Sequence, residues 1–289
     1  MKENIRFSSE SAKDVYGRSC TDPELTKALL QQSVDAGEYD VALVFAENLV
    51  KLMPDSYVPI HAKIAVLVQK KDLGEAGLCL AAAQKQFGND PEYINDRLAY
   101  TIEVMGTAAA KKYLEKIGDK PAYESRHFLE LCARIYNAEG DERKYIQCLY
   151  ILHKQFNSEK ARFLLALKSI EHQQFEAGLK WYVAVINGYS GSPEYFMSLA
   201  GRSMMLQILG RDNWRTEMVK AANEIDLAST VHAMNLWLRT ISVELWKILG
   251  EDENADFNYR VIEELKKYAE DPDKYWKQEK TNNGKTREK

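Results

Sequence analysis

The feature that most constrains this chain is a helix-breaking position that recurs at a nearly constant interval. These positions are Gly37, Lys71, Gly106, Gly140, Gln173, Gly210 and Gly250, so that the intervals are 34, 35, 34, 33, 37 and 40 residues. Five of the seven are glycine, although only 15 of the 289 residues are glycine. Glycine readily takes the left-handed conformation in which many helices end. A period of this length predicts a repeat protein built from short helical units.

Each unit is predicted to be two short helices joined by one turn, most clearly in residues 23–54. Before the turn at Gly37, Leu25 and Leu29 share one helical face. After the turn, Phe45 and Leu49 share another. A pair of helices this short cannot bury its apolar stripe alone, so we expect each pair to stack on its neighbours.

Small residues recur at fixed distances from the turns, where two helices would cross closely. Five residues after the turn stand Ala42, Ala76, Gly178 and Ala255. Seven residues before the turn stand Leu30, Ile64, Ala99, Ala133, Ala166, Ser203 and Val243, of which four are small. The sixth unit departs from this pattern, because it has Arg215 where a small residue is expected.

The interval of 34 residues, the small residues and the glycine turn resemble the tetratricopeptide repeat. The resemblance covers residues 23–178 best and is strongest in the first unit, through Leu29, Gly37, Tyr39, Ala42 and Pro54. It implies an all-α fold, a right-handed superhelical solenoid of about seven antiparallel helix pairs. It also implies that the first helices line a concave groove, which binds peptides or partner helices.

The repeat pattern divides the chain into three predicted segments. Residues 1–21 form an N-terminal arm that is partly ordered or caps the first repeat. Residues 22–270 form the array, which a helix near Asn254–Ala269 is expected to cap. Residues 271–289 lose the apolar period and become polar and basic, so we predict a disordered tail.

Composition and charge limit the environment and the partners of the chain. Uncharged apolar runs are interrupted well before the roughly 18 residues that would span a bilayer, so we expect no membrane insertion. Charged residues and serines stand where a signal peptide would be apolar, which predicts a cytoplasmic protein. A net charge of −4 does not favour a nucleic-acid partner, and the basic tail is the one stretch suited to such a contact.

Patterns that would indicate catalysis or metal binding are missing from the sequence. The five histidines are scattered, no Cys-x-x-Cys pair occurs, and the one glycine cluster, at 187–192, lacks the lysine of a phosphate loop. The four widely spaced cysteines, Cys20, Cys79, Cys132 and Cys148, are predicted to be free thiols. We therefore predict no enzyme activity, no metal, no cofactor and no small-molecule substrate.

Residues that face the groove should lie thirteen, ten, six and three positions before each turn. In the second unit these are Val58, His61, Ala65 and Val68. In the third and fourth units they are Tyr93, Asp96, Tyr100 and Glu103, then His127, Glu130, Arg134 and Asn137. Aromatic surface mixed with hydrogen-bonding groups suits an extended peptide or a helix. We predict partner contacts at Tyr93, Arg97, Tyr100, His127, Arg134 and Asn137, with Lys27 and Gln31 as further candidates.

Two features of the groove qualify this prediction. The family's clamp for a C-terminal carboxylate is matched by Lys27 and approximated by Arg97, but Gln31 and Ala65 stand where asparagines belong. Farther along, the groove positions become apolar, as at Phe163, Leu167, Met197 and Met204. Either a neighbouring helix covers that stretch or a hydrophobic partner does.

The function predicted from the sequence is that of a non-enzymatic adaptor, scaffold or chaperone-like protein. It would bind a peptide or helix of a partner protein in its concave groove. The alternative is a structural subunit of a larger assembly, such as a secretion or regulatory complex, that uses its convex or end surfaces.

Overall fold

The computed structural model describes residues 21–118, 125–188, 191–231 and 236–270. Within these ranges the chain forms fourteen α-helices and no strand, so the predicted all-α class is confirmed. The helices are α1 (Pro23–Asp35), α2 (Tyr39–Leu52), α3 (Val58–Gln69), α4 (Leu73–Phe87), α5 (Pro91–Met105), α6 (Thr107–Ile117), α7 (Arg126–Ala138), α8 (Glu142–Phe156), α9 (Glu159–Glu171), α10 (Phe175–Ile186), α11 (Pro193–Ile208), α12 (Trp214–Val231), α13 (Leu236–Leu249) and α14 (Asp252–Glu270). Taken two by two in chain order they form seven hairpins, in each of which one of the predicted turns joins the two helices. The odd-numbered helices are the first helices of these hairpins.

The turns inside the hairpins lie where the repeat interval predicts them. All seven predicted positions have positive φ, from 58° at Gln173 to 86° at Gly106. Glycine adopts this conformation without strain, whereas Lys71 and Gln173 adopt it with a Cβ present. The recurring turn therefore depends on backbone geometry more than on glycine itself.

Side-chain caps begin most of the first helices. Asp22, Asp90, Ser125, Ser158 and Ser192 each accept hydrogen bonds from backbone N–H groups in the first turn that follows. Such a cap satisfies a donor that the helix leaves unpaired, and losing it costs about 1 kcal/mol. The loops between hairpins thus fix where each first helix starts.

The described residues fall into two compact units that divide within α8, between Cys148 and Leu149. In the N-terminal unit each helix from α1 to α6 packs against the next one. The first helices of successive hairpins also contact each other, α3 with α5 and α5 with α7. Ala42 and Ala76, predicted to lie at close helix crossings, are fully buried. Stacking in chain order is the arrangement that the short repeat requires.

The C-terminal unit repeats this arrangement. Each helix from α9 to α13 packs against the next, and α9 contacts α11 as α11 contacts α13. Gly178 and Ala255 are buried at the predicted crossings. The apolar stretch around Phe163 and Met197 joins one core cluster with Tyr182 from α10, so a neighbouring helix covers it. Met204 remains exposed beyond this cover.

Three further features bear on the sequence prediction: the last helix, Arg215 and the two terminal segments. The helix predicted near Asn254–Ala269 is α14, which begins at Asp252, is the second helix of the seventh hairpin and buries Ala255. Arg215 tolerates its position because the side chain is exposed and donates to the Leu249 carbonyl, 2.8 Å away. The predicted arm and tail lie outside the described residues, apart from Thr21 at the end of the arm.

The predicted free thiols are confirmed for Cys79, Cys132 and Cys148, while Cys20 lies outside the described residues. Burial raises the pKa of Cys132 to about 12 and that of Cys148 to about 11. A thiol that stays protonated is a poor nucleophile, so these two cysteines act as small apolar core residues. No described helix is both long and apolar enough to cross a bilayer.

Candidate partner-binding cleft

The N-terminal unit carries a cleft of about 1090 Å³ where three first helices begin. The contact of α3 with α5 and of α5 with α7 brings these starts together. The cleft is lined by Asp55, Ser56, Tyr57, Val58, His61, Phe87, Asp90, Pro91, Glu92, Asn95, Asp96, Ser125 and His127. Its volume is slightly above the range of about 300–1,000 Å³ usual for ligand sites, which is enough for several residues of an extended chain.

A hydrogen-bonded network crosses the cleft from α3 to α5. The Tyr57 hydroxyl donates to Asp96 Oδ2 over 2.8 Å. His61 Nδ1 lies 3.0 Å from Asp96 Oδ1 and 2.9 Å from Oδ2. The hydrogen bond to Asp96 raises the pKa of His61, and burial with the nearby Asp96 charge raises the pKa of the Tyr57 phenol. The network holds the Asp96 carboxylate in a fixed place before any ligand arrives.

Aromatic rings form the floor of the cleft. The ring centroids of Tyr57 and Phe87 are 5.6 Å apart, and those of Tyr57 and Tyr93 are 5.7 Å apart in an edge-to-face arrangement. Tyr57, Phe87 and Tyr93 are buried in one core cluster with residues of α3, α4 and α5. Because the floor belongs to the core, it is rigid.

The wall between α5 and α7 contains a buried amide. Asn95 Nδ2 donates to Ser125 Oγ over 3.3 Å, and Ser125 Oγ in turn accepts from the Phe128 N–H that it caps. Asn95 is 9% exposed, and its Oδ1 has no hydrogen-bond partner among the described residues. A buried acceptor left unpaired costs about 1–3 kcal/mol, so a donor that reached this oxygen would gain a favourable hydrogen bond.

The predicted contact residues divide between the cleft and its surroundings. His127 lines the cleft, and Tyr93 lies beneath it with 2% of its surface exposed. Arg97 lies over the Tyr100 ring, 6.0 Å from the centroid. Tyr100 is half-buried, with its hydroxyl against Gly77 of α4. The structure therefore brings Arg97 and Tyr100 together and places Tyr93 in the core.

The remaining predicted residues are exposed or partly exposed and are mostly engaged locally. Arg134 on α7 makes a 2.7 Å salt bridge to Glu103 on α5, which joins two first helices. Asn137 is exposed one turn farther along α7. Lys27 pairs with Glu24 at 2.7 Å and Gln31 donates to Asp35 at 2.8 Å, all on α1. Lys27 and Gln31 are not among the residues that line the cleft.

Sequence reasoning missed two residues that shape the cleft, Tyr57 and Asn95. Each stands one position before a predicted groove residue, Val58 and Asp96 respectively, so the groove spacing excluded it. A signal for Tyr57 was present, because a large aromatic residue directly before a helix start is placed to pack against the neighbouring hairpin. No comparable signal marked Asn95, whose role depends on Ser125, 30 residues away.

A smaller cavity of about 190 Å³ lies between α11 and α12 in the C-terminal unit. Its polar groups are already paired: Tyr195 donates to Glu224, and Glu217 bonds both Arg202 and Lys220. The bond from Lys220, followed by the charge of Arg202, lowers the pKa of Glu217. A cavity this small with satisfied walls is a structural feature of the hairpin, in contrast to the open cleft on α3, α5 and α7.

The arrangement of titratable groups supports binding more than catalysis. The His61–Asp96 pair resembles the base and orienting acid of a hydrolase, but the nearby Ser125 hydroxyl serves as a helix cap. Among the described residues, no cluster of three or more histidine, cysteine or carboxylate side chains could hold a metal ion. What the cleft offers is a fixed carboxylate, an unpaired amide oxygen and an aromatic floor.

Comparisons with known proteins identify the fold. No protein-family model and no curated protein matches the chain. Among solved structures, PilF of Pseudomonas aeruginosa superposes with a TM-score of 0.58 at 14% identity, covering 82% of this chain and 99% of PilF. PilW, a type IV pilus biogenesis factor, gives 0.56 at 14% identity, covering 76% and 97%. A tetratricopeptide-repeat protein of Parabacteroides merdae gives 0.52 at 16% identity, covering 84% and 93%.

Proposed function

We propose, on the premise that this chain has a tetratricopeptide-repeat fold, that it is a non-enzymatic adaptor, scaffold or chaperone-like protein. Its binding surface is the first-helix face, defined here as the side of α3, α5 and α7 that contains the cleft and the exposed residues beyond it. The ligand is an extended peptide or a helix of a partner protein. Arg97, Tyr100, His127, Arg134 and Asn137 provide polar and aromatic contacts on this face.

The cleft is the observation that carries this proposal. It is a large concavity, it is built by three successive first helices, and its floor is fixed by core packing. A preformed site lowers the ordering entropy that opposes association, so a modest contact area gives useful affinity. Tyr93 supports the floor from below, and Lys27 and Gln31 of α1 are secondary contacts that a longer ligand would reach.

The experiment is a selection of random peptides displayed on phage against the immobilised full-length chain. Enriched peptides are then labelled and titrated by fluorescence anisotropy. The test variant combines His127→Ala and Arg134→Ala, because both side chains are exposed and their removal leaves the core intact. We expect affinity to fall about tenfold, which corresponds to about 1.4 kcal/mol.

The matched control combines Lys112→Ala and Arg143→Ala. These substitutions remove exposed positive charges on the second helices α6 and α8. Affinity of the control for the enriched peptides should stay within about twofold of the original chain, a difference of about 0.4 kcal/mol. If no peptide is enriched, or if both double variants bind equally well, the first-helix face is not a peptide site.

A structural-subunit function is favoured by one separate observation. Phe257 and Tyr259 on α14 are 58% and 55% exposed, two large aromatic side chains on the last described helix. Aromatic residues are enriched in protein interfaces relative to the rest of the surface. Light scattering coupled to size-exclusion chromatography tests this function. Self-association that Phe257→Ser and Tyr259→Ser abolish supports an assembly subunit, and a monomer at all concentrations contradicts self-assembly through α14.

A further inference from the structure

We infer that the cleft at the start of α3, α5 and α7 binds an arginine side chain from a basic segment of the partner protein. This inference rests on the proposed function, since it names the chemistry of the peptide that the first-helix face receives. Three properties of the cleft point to arginine: its charge, its unpaired acceptor and its aromatic floor.

Carboxylates dominate the charged groups of the cleft. Asp55, Asp90, Glu92 and Asp96 line it, whereas no lysine or arginine is among the described residues that do so. His61 and His127 are the titratable bases in the lining. Nearby arginines lie outside it: Arg126 is paired with Glu130 at 2.9 Å, and Arg97 lies over Tyr100. The fixed charge at the cleft is therefore that of four carboxylates.

The helix starts oppose this charge but do not cancel it. Three helix N-termini meet at the cleft, and each contributes a partial charge of about +0.5. Their sum, about +1.5, is smaller in magnitude than the charge of the four carboxylates. Asp90 already neutralises the start of α5 by accepting from the N–H groups of Glu92 and Tyr93. The balance favours a cation and disfavours a C-terminal carboxylate.

Asn95 provides an observation independent of charge. Asn95 is one of the residues that line the cleft, more than nine-tenths of it is buried, and its Oδ1 carbonyl oxygen lacks a donor among the described residues. The next residue in α5 is Asp96, and 11% of its side-chain surface is exposed. A ligand with several N–H groups in one plane can satisfy an amide oxygen and a carboxylate together.

Guanidinium fits these requirements better than an ammonium group. It has five N–H donors in a rigid plane, and it stacks on aromatic rings. Its methylene stem suits the apolar surface that Tyr57, Phe87 and Val58 contribute to the lining. The ammonium group of lysine is a compact and strongly hydrated charge, so it gains less from a partly buried carboxylate. The cleft is therefore a site for arginine in preference to lysine.

The probes are fluorescein-labelled peptides in which three arginines alternate with alanine. Companion peptides replace every arginine by lysine, by neutral citrulline or by glutamate. Anisotropy titrations on the full-length chain at low ionic strength should rank the arginine peptide first. We expect the lysine peptide to bind about threefold to tenfold more weakly, and the citrulline and glutamate peptides not to saturate. Equal binding of arginine and lysine peptides contradicts the preference for guanidinium.

The test variant combines Asp55→Asn and Glu92→Gln, since both residues are exposed at the rim and do not support the fold. The matched control combines Glu75→Gln and Glu115→Gln on the second helices α4 and α6, which changes the net charge equally. The rim variant should weaken the arginine peptide about threefold to tenfold, as expected for two exposed charge pairs. Equal weakening by rim and control variants shows only a general charge effect and overturns the site.

Two further variants reach the interior of the cleft. Asn95→Ala removes the unpaired acceptor and should weaken the arginine peptide about fivefold, while the lysine peptide changes less. Asp96→Asn should weaken both peptides about tenfold or more, and circular dichroism melts establish that the variant is folded. Unchanged binding of the arginine peptide to folded Asp96→Asn overturns the inference.

Other outcomes separate this inference from the proposed function. If the phage selection enriches neutral or acidic peptides that His127→Ala and Arg134→Ala weaken, the peptide face stands and the arginine site fails. If spermine binds as tightly as the arginine peptide and competes with it, the cleft recognises a free polyamine, and the assignment to a protein segment fails. If nothing is enriched and the arginine peptide does not bind, both proposals fail.

Discussion

Single residues decide how closely adjacent helices approach in this fold. Gly201 on α11 lies against the ring of Tyr182 on α10, and Gly77 on α4 lies against the hydroxyl of Tyr100 on α5. In both places an aromatic side chain occupies the volume that a methyl group would need. The repeat pattern indicated small residues near helix crossings, but the partner ring could be identified only from the structure.

Replacing Gly201 by alanine should destabilise the chain. A Cβ at this position would lie 2.5 Å from Tyr182 Cζ, and Tyr182 is buried in the core of the C-terminal unit. Overpacking of this kind costs about 1–3 kcal/mol, more than the gain in helix propensity of about 1 kcal/mol. The control is Gly74→Ala, where the nearest atom is 3.9 Å away. Urea denaturation should show lower stability for the first variant and unchanged or higher stability for the second.

Two histidines should titrate in opposite directions from their ordinary pKa of 6.5. The hydrogen bond to Asp96 raises the pKa of His61, whereas burial lowers the pKa of His153, whose ring packs edge-on against Trp181. NMR titration of the ring protons measures both. Equal pKa values for the two rings would contradict the geometry of the cleft network.

These shifts have opposite consequences for stability. The His61 contribution is complete below the unfolded pKa and is lost as the pH rises through the raised pKa. His153 favours folding while it is neutral, so its contribution is lost as the pH falls from the unfolded pKa to the lowered one. His61→Gln should therefore lose less stability than the original chain as the pH rises. His153→Gln should lose less stability than the original chain as the pH falls. Both differences are measured by denaturation curves from pH 5 to 8, about the range over which histidine titrates.

At the scale of secondary-structure elements, the recurring feature is the turn that joins the two helices of a hairpin. Each of the seven predicted turns has positive φ, including those at Lys71 and Gln173. The sequence predicted these turns because their spacing is regular even where glycine is absent. Helix starts are fixed by side-chain caps, since Asp90, Ser158 and Ser192 bond the first turn of α5, α9 and α11.

Lys71→Gly should stabilise the hairpin of α3 and α4. Lys71 is exposed with φ of 64°, a conformation in which a side chain costs about 1 kcal/mol and glycine costs little. The greater freedom of glycine in the unfolded chain offsets part of this, so we expect a gain of about 0.5 kcal/mol. Gln69→Gly, at the last residue of α3, should instead lose stability, by at most the roughly 1 kcal/mol that glycine costs in a helix interior. A loss in both variants would mean that the turn is not strained.

The cleft was less accessible to sequence reasoning than the turns. The spacing placed Asp96, His61 and His127 on the groove side, and all three line the cleft. It did not reveal that Tyr57, 39 residues from Asp96, bonds the Asp96 carboxylate. Tyr93 was expected to meet a partner, but the edge-to-face ring of Tyr57 covers it. Periodicity gives the side of a helix, whereas depth depends on the size of side chains from other hairpins.

At the scale of the whole molecule, stability comes from contacts between neighbours in the chain. In each unit the main packing joins a helix to the next helix or to the next first helix. A chain with such contacts is expected to open locally, because each hairpin is stabilised chiefly by those beside it. This follows from the repeat and was available from the sequence, whereas the division within α8 was not.

Leu49→Ala should loosen the first hairpin and leave distant ones unchanged. Leu49 is buried in the core cluster of α1 and α2, so its truncation costs about 2–5 kcal/mol. Hydrogen exchange followed by mass spectrometry should show faster exchange in α1, α2 and α3. Exchange in α11 and α12 should not change. The control is Leu78→Ala on α4, an exposed side chain whose loss should alter exchange little. Uniformly faster exchange throughout Leu49→Ala would indicate one cooperative globule.

The packing of successive helices within each unit also bears on how the chain is made. During synthesis the N-terminal residues leave the ribosome first, and every hairpin needs only a few tens of residues to complete itself. Within a unit, a newly emerged hairpin can bury its apolar stripe on one already formed, without waiting for distant segments. Each unit can thus be synthesised with little apolar surface exposed at any moment, once its first hairpin has formed.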